Sequence, residues 1–274
     1  MAISLSIQTA SSGALKNLGK TLKDFSVSIG RLASGSRVNK AADDAAGLAI
    51  SQQLAASLRT TSRAELNVRD ASSALFQTDS AIAQVQSISG RLQEIALQSS
   101  NGTYSDDQRA ALQQEFSSLT EEIQRISETT RFNGQNLLDG SVISVQTGTD
   151  GGENSTQQIG GVNVKALASQ LSSANIGTQG GGQAAIDTVR QFSDTLATER
   201  ASRVGASYNR LESVGQTLGA RIGAESGALA AIRDVNIAEE TALLSRNQIL
   251  SQAGVSVLAQ ANRVNTIAIN LLLG

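Results

Sequence analysis

Not one proline interrupts the 274 residues of this chain. Proline fixes φ, lacks a backbone N–H and clashes with the preceding helical turn, so it is the strongest helix breaker and a frequent turn residue. Its absence permits helices of unusual length. The hydrophobic content suits them: apolar residues are 40% of the chain and aromatics only 3%, so burial falls to small and aliphatic side chains at close spacing. A chain of this length can bury a core as one large or two small domains.

Composition also removes several chemistries. Without Cys there is no disulfide framework or thiolate site, and without His the usual triad base and commonest metal ligand are missing together. The 22 Lys and Arg against 24 Asp and Glu supply no basic field for nucleic acid. Residues 1–15 carry no charge, so the basic start of a secretory signal is missing. Asn247, Gln248, Gln252 and Gln260 interrupt the uncharged carboxyl-terminal stretch, which is therefore no membrane span.

Hydrophobic spacing predicts the elements. Leu15, Leu18, Leu22, Phe25, Ile29 and Leu32 follow at alternating intervals of three and four, a heptad seam that Gly35 and Ser36 end. A second helix is expected from Asp43 to about Ser99, a rod on the order of 80 Å. Asn101-Gly102 stops it, and Ser105 with Gln108 has the form of a capping box opening a third helix. The seam of that helix is Leu112, Phe116, Leu119, Ile123 and Ile126, which lets it fold back antiparallel. Phe132-Asn133-Gly134-Gln135-Asn136 reads as a turn.

Between Ser141 and Gly182 the helical pattern breaks. Val142, Ser144 and Gln146 alternate, Gly160-Gly161 precedes a second alternating run at Val162-Asn163-Val164, and one or two small hairpins are expected. Gly180-Gly181-Gly182 reads as a flexible joint. Helix then resumes, ending in Leu243, Leu250, Val257, Val264 and Leu271 at intervals of seven. The fold class is mainly α: a long antiparallel helical rod with terminal heptad coiled-coil helices and a small β-hairpin region. Expected domains are 1–40 with 235–274 for assembly, 41–140 with 183–234 for the rod, and 141–182 as a short hairpin region. The two terminal seams form an assembly device, folding against each other and against further copies of the chain.

Gly215, Gly219, Gly223 and Gly227 recur every fourth residue. Each interior glycine costs about 1 kcal/mol in helix propensity, so a close helix contact is expected to compensate; the alternative is a frayed or kinked helix. Asp43 and Asp44 do not converge as a carboxylate pair and suit a helix start instead. Glu121-Glu122 and Glu239-Glu240 read as solvated or salt-bridging faces. No phosphate loop, zinc cluster or nucleophile motif occurs, and neither a catalytic site nor a cofactor is expected.

The run from Arg31 through Ser51, RLASGSRVNKAADDAAGLAIS, closely resembles the amino-terminal signature of bacterial flagellins. Gly205 to Glu212, Ile249 to Ala253 and Leu258 to Asn262 resemble the matching carboxyl-terminal signature. In place of the family's frequent proline after that Ala-Asn, this chain continues Arg263-Val264-Asn265.

The resemblance implies a filament subunit of the flagellum for swimming, in a short form lacking large outer domains, with the terminal helices forming an inner tube and a thin, smooth filament. It implies extracellular localisation after export through the flagellar secretion apparatus without a cleaved signal. Implied partners are further copies of the chain, an export chaperone at the carboxyl-terminal segment, and the filament cap and hook-junction proteins. In some flagellins an Arg, an aliphatic residue and a Glu at places like Arg91, Ile95 and Glu115 are read by a vertebrate innate receptor, although Gly90 departs from the usual Gln; the alternative role for these residues is contact between protofilaments. A junction protein and an exported enzyme are the competing classes. The first usually departs from the Asp-Asp-Ala-Ala-Gly-Leu-Ala-Ile-Ser run kept here, and the second usually places a zinc motif in the middle.

Overall fold

The computed structural model describes residues 2–273, with the side chains of 2–11, 153, 265 and 268–273 outside the description. Its helices are α1 (Ala2–Ser34), α2 (Ala45–Ser99), α3 (Asp106–Thr129), α4 (Val164–Ser172), α5 (Gln179–Glu199), α6 (Ala206–Arg233) and α7 (Ile237–Leu273). A π-helical turn, Arg200–Gly205, joins α5 to α6. Two antiparallel hairpins complete the chain: β1 (Arg131–Phe132) with β2 (Gln135–Asn136), and β3 (Val142–Gln146) with β4 (Thr156–Gly160). The chain divides into a terminal unit, Met1–Ala56 with Ala224–Gly274, and a rod unit, Ser57–Gly223. Among the described residues no helix is long and apolar enough to cross a membrane.

In the rod unit α2 buries a regular heptad face. Ala64, Val68, Ala71, Leu75, Thr78, Ile82, Val85, Ser89 and Leu92 are all buried, at alternating intervals of four and three. Phe116 and Ile123 of α3, Leu171 of α4, and Val189, Phe192 and Leu196 of α5 close the core. Polar members of the face find partners: Thr78 donates to the carbonyl of Ala74 at 2.8 Å, and the Ser89 and Ser193 hydroxyls meet at 2.5 Å.

Local chemistry sets the ends of these elements. The Ser105 hydroxyl accepts from Gln108 N–H at 3.3 Å while the Gln108 side chain accepts from Ser105 N–H at 3.0 Å, the reciprocal box that starts α3. Buried Arg109 donates to the carbonyls of Ser99 and Asn101, the latter at 2.9 Å, and so ends α2. Asn133 and Gly134, both at positive φ, make the tight β1–β2 turn.

Three local expectations change. Val162-Asn163-Val164 is not a strand: the Asn163 side chain accepts from Ala166 N–H at 2.8 Å and starts α4. Gly180-Gly181-Gly182 is not a loose joint but the first turn of α5, started by Thr178. There a Cβ on Gly181 would stand 2.1 Å from the carbonyl of Asn175, and one on Gly182 would stand 2.8 Å from Ser100 N, so these glycines serve close backbone packing.

The third change concerns the glycine ridge. A Cβ at Gly215 would meet Val68 at 3.6 Å, but at Gly219, Gly223 and Gly227 nothing among the described residues comes within 4 Å. Each i to i+4 step advances about 40° around a helix, so the three steps from Gly215 to Gly227 leave the face that meets a single neighbour. Among the described residues, close packing within this ridge is limited to Gly215.

Candidate assembly surfaces

The terminal unit is built on α1 and α7. Arg31 meets Glu240 and Leu18 meets Gly254, so the helices run antiparallel. The terminal segments, expected to fold against each other and against further copies, pack on each other in the single chain. On α1 the packed face is Leu18, Thr21, Phe25, Ser28 and Leu32, and on α7 it is Glu240, Leu244, Asn247, Ser251, Gly254 and Leu258. Glu240 is therefore buried, and of the two expected settings it takes the salt-bridging one, with Arg31.

The predicted seam divides between two environments. Leu18, Phe25 and Leu32 lie on the packed face, whereas Leu15 is 60% exposed and Leu22 and Ile29 are also exposed. Leu243, Leu250, Val257 and Val264 are all exposed, with Val257 at 54%, and the Leu271 side chain lies outside the described residues. Adjacent residues on a helix point about 100° apart, so placing Leu244 toward α1 turns Leu243 away. Each helix keeps a second apolar stripe free in the single chain.

Behind this pair the two connecting segments are tied. Arg37 N–H donates to the carbonyl of Arg233 at 2.6 Å, and Val235 N–H donates to that of Gly35 at 3.1 Å. Gly35, at φ +66°, allows α1 to end in the left-handed turn this requires. Arg233 Nε donates to the Ser36 hydroxyl at 3.1 Å. Of the neighbouring carboxylates only Asp44 serves the helix start, accepting from Gly47 N–H at 2.8 Å, whereas Asp43 accepts from Lys40 and Asn39 N–H of the preceding loop at 3.0 and 3.2 Å. The amides of Lys40 and then Asn39 hold the Asp43 carboxyl below its ordinary range.

The rod unit carries a second surface, a groove of about 510 Å³ beside the π turn, lined by Leu75, Phe76, Val204 and Tyr208. Phe76 is 70% exposed, and Tyr208 is exposed too. Arg200 crosses from the π turn to bind Asp79 through two bonds of 2.6 and 2.8 Å and donates to Gln86 at 2.6 Å. Hydrogen bonding to this guanidinium lowers the Asp79 pKa and raises that of Arg200.

The comparisons agree with this architecture. Residues 5–142 match the bacterial flagellin N-terminal helical region, and residues 186–272 match the C-terminal helical region. The chain belongs to the bacterial flagellin family. It is 37% identical over 261 residues to a flagellin of Halalkalibacterium halodurans, covering 94% of this chain and 96% of that one. It is 33% identical over 275 residues to a flagellar filament core protein of Brachyspira hyodysenteriae, covering 93% and 96%. The crystal structure of Bacillus cereus flagellin aligns with a TM-score of 0.50 at 25% identity, covering 56% of this chain and 88% of that one. A putative flagellar hook-associated protein from Vibrio parahaemolyticus shares the fold at a TM-score of 0.59 and 12% identity, covering 70% and 100%.

In this flagellin the Arg91, Ile95 and Glu115 group is split. Arg91 donates to Glu115 at 2.8 Å and to Glu94 at 3.0 Å, and both members of the Arg91–Glu115 pair are exposed. Ile95 is completely buried and touches the core, so it offers nothing to a receptor or a neighbouring protofilament. Three successive residues of the long helix, Glu94, Ile95 and Ala96, pass from solvent into the core.

Proposed function

We propose that this flagellin polymerises through α1 and α7 into the filament of an extracellular bacterial flagellum used for swimming. One observation carries the reading. The α1–α7 pair covers one stripe of each helix and leaves Leu15, Leu22 and Ile29 on one helix and Leu243, Leu250, Val257 and Val264 on the other open to solvent. Such stripes are covered by heptad packing against further copies. Each copy offers two different stripes, and a contact between unlike surfaces propagates as a helix where its rotation does not close a ring.

The same exposed stripe of α7 suits an export chaperone before assembly, since it is the surface that must not meet another copy early. Export proceeds through the flagellar secretion apparatus, and cap and hook-junction proteins bind the two ends of the polymer. Residues 1–40 with 235–274 act as the assembly domain, and the Arg91–Glu115 pair, without Ile95, is the part of its patch open to a protofilament neighbour or a host receptor.

Electron microscopy of the purified chain after seeding, beside a version lacking residues 243–274, tests the reading. Filaments from the intact chain and none from the truncation support it. An intact chain that stays monomeric under seeding overturns it.

A further inference from the structure

Asn-Gly occurs twice in the chain, at Asn101-Gly102 between α2 and α3 and at Asn133-Gly134 between β1 and β2. In this dipeptide the glycine has no Cβ to keep its backbone nitrogen away from the asparagine side-chain carbonyl, so the two can react. All four residues are exposed. Only their surroundings tell the two pairs apart.

At Asn101 both reacting groups are prepared. The side-chain Oδ1 accepts from Thr103 N–H at 3.1 Å, which lays the side-chain carbonyl along the intervening Gly102 peptide and draws electrons from Cγ. The Gly102 N–H has no hydrogen-bond partner among the described residues, so solvent hydroxide can take its proton. The anion left behind shares its charge between the Gly102 nitrogen and the Asn101 carbonyl oxygen of the same amide. Buried Arg109 donates from Nη1 to that oxygen at 2.9 Å, and Tyr104 N–H donates to it at 3.4 Å. A fixed cation there favours the anion, as preorganised donors do wherever charge develops. Among the described residues neither the carbonyl nor the side chain of Asn133 makes a hydrogen bond, and its φ of +48° belongs to a tight turn pinned by the paired strands.

We propose that Asn101-Gly102 is a self-modification site, with Arg109 the positioning residue that polarises the Asn101 carbonyl so that Gly102 N attacks the Asn101 side chain. Gly102 N gives its proton to solvent hydroxide, and its lone pair forms the bond to Asn101 Cγ. The Cγ–Nδ2 bond then breaks, and the side-chain nitrogen takes a proton from water and leaves as ammonia, closing a five-membered succinimide. Water opens the ring at one of its two C–N bonds and leaves aspartate or isoaspartate at 101. Either product carries a carboxylate in place of a neutral amide, and isoaspartate also adds a backbone carbon to the turn that Arg109 holds. The site goes beyond the assembly reading and does not rest on it.

The full-length soluble chain is incubated at mildly alkaline pH, native and in guanidinium chloride, then digested. The modified fractions at 101 and 133 are followed by mass spectrometry, with isoaspartyl methyltransferase labelling to identify the product. In the native chain Asn101 reacts about tenfold faster than Asn133, an advantage of about 1.4 kcal/mol in barrier. In guanidinium chloride, where neither turn survives, the two rates converge. Gly102→Ala, whose Cβ meets Gln179 at an ordinary 3.5 Å, slows the reaction at 101 and leaves that at 133 unchanged.

Arg109→Gln keeps donor atoms without the charge and lowers the native ratio toward that of the denatured chain, whereas Arg109→Lys holds it higher. If Arg109 only restrained the turn, its loss would loosen the turn and speed the reaction at 101, the opposite sign. A native ratio no higher than the denatured one overturns the proposal, and so does an Arg109→Gln ratio equal to or above that of the parent. The native and denatured comparison needs no variant, so it decides even where Arg109→Gln does not fold.

Discussion

Leu196 and Val204 lie on one buried seam eight residues apart, one more than a heptad. The π turn between them supplies the extra residue: Ala206 N–H bonds the carbonyl of Ala201, five residues back. The inserted residue rephases the helix, so that Val204, Leu211 and Leu218 face the core that Val189, Phe192 and Leu196 began. It also places Arg200 toward Asp79 and brings Arg203 against Gly161 beside the β3–β4 hairpin.

Deleting exposed Ser202 restores an ordinary helical repeat and turns the following residues by about 100°. Three buried aliphatic side chains then lose their places, at roughly 1.5–3 kcal/mol each. Thermal unfolding is expected to show a loss of about 4 kcal/mol or more, whereas Ser202→Ala stays within about 0.5 kcal/mol of the parent.

The glycines separate into two classes with opposite responses. Gly219→Ala and Gly223→Ala add a Cβ where nothing lies within 4 Å and are expected to raise the stability of the soluble chain by up to about 1 kcal/mol each. Gly181→Ala and Gly182→Ala force a Cβ onto the backbone of Asn175 or Ser100 and are expected to cost about 1–3 kcal/mol despite the better propensity of alanine. Urea midpoints of the four variants check both signs.

How far these features were legible depends on whether they are local. The capping box at Ser105, the Asn133-Gly134 turn and the core residues Phe116 and Ile123 follow from short-range chemistry and spacing, and the structure has all of them. The triglycine looked like freedom because its partners, Asn175 and Ser100, are tertiary neighbours. Heptad spacing identified Leu243 and Leu250 as apolar, but it does not say which copy covers a stripe. The rephasing at the π turn left no mark, since Val204, Leu211 and Leu218 keep intervals of seven among themselves.

The Asp79 carboxyl, held below its ordinary value by Arg200, ties rod stability to acid. Its contribution is complete above the unfolded carboxylate value, about pH 4, and is lost as pH falls through the lower folded value. The pair is partly solvated, so its worth is about 0.5–1 kcal/mol. Asp79→Asn is expected to lower stability by that amount at pH 7, and the difference from the parent is expected to shrink toward pH 2 in parallel denaturation curves.

Leu250→Glu with Val257→Glu leaves every described contact of α7 with α1 in place and puts two charges on the stripe assigned to neighbouring copies. Sedimentation of seeded preparations, with circular dichroism and thermal unfolding of the soluble fraction as controls, is the direct test of end-driven assembly. The double variant should keep the helix content and unfolding transition of the parent and yield no pelletable filament. Filaments at the parental yield would mean that the contacts holding the polymer together lie elsewhere on the chain.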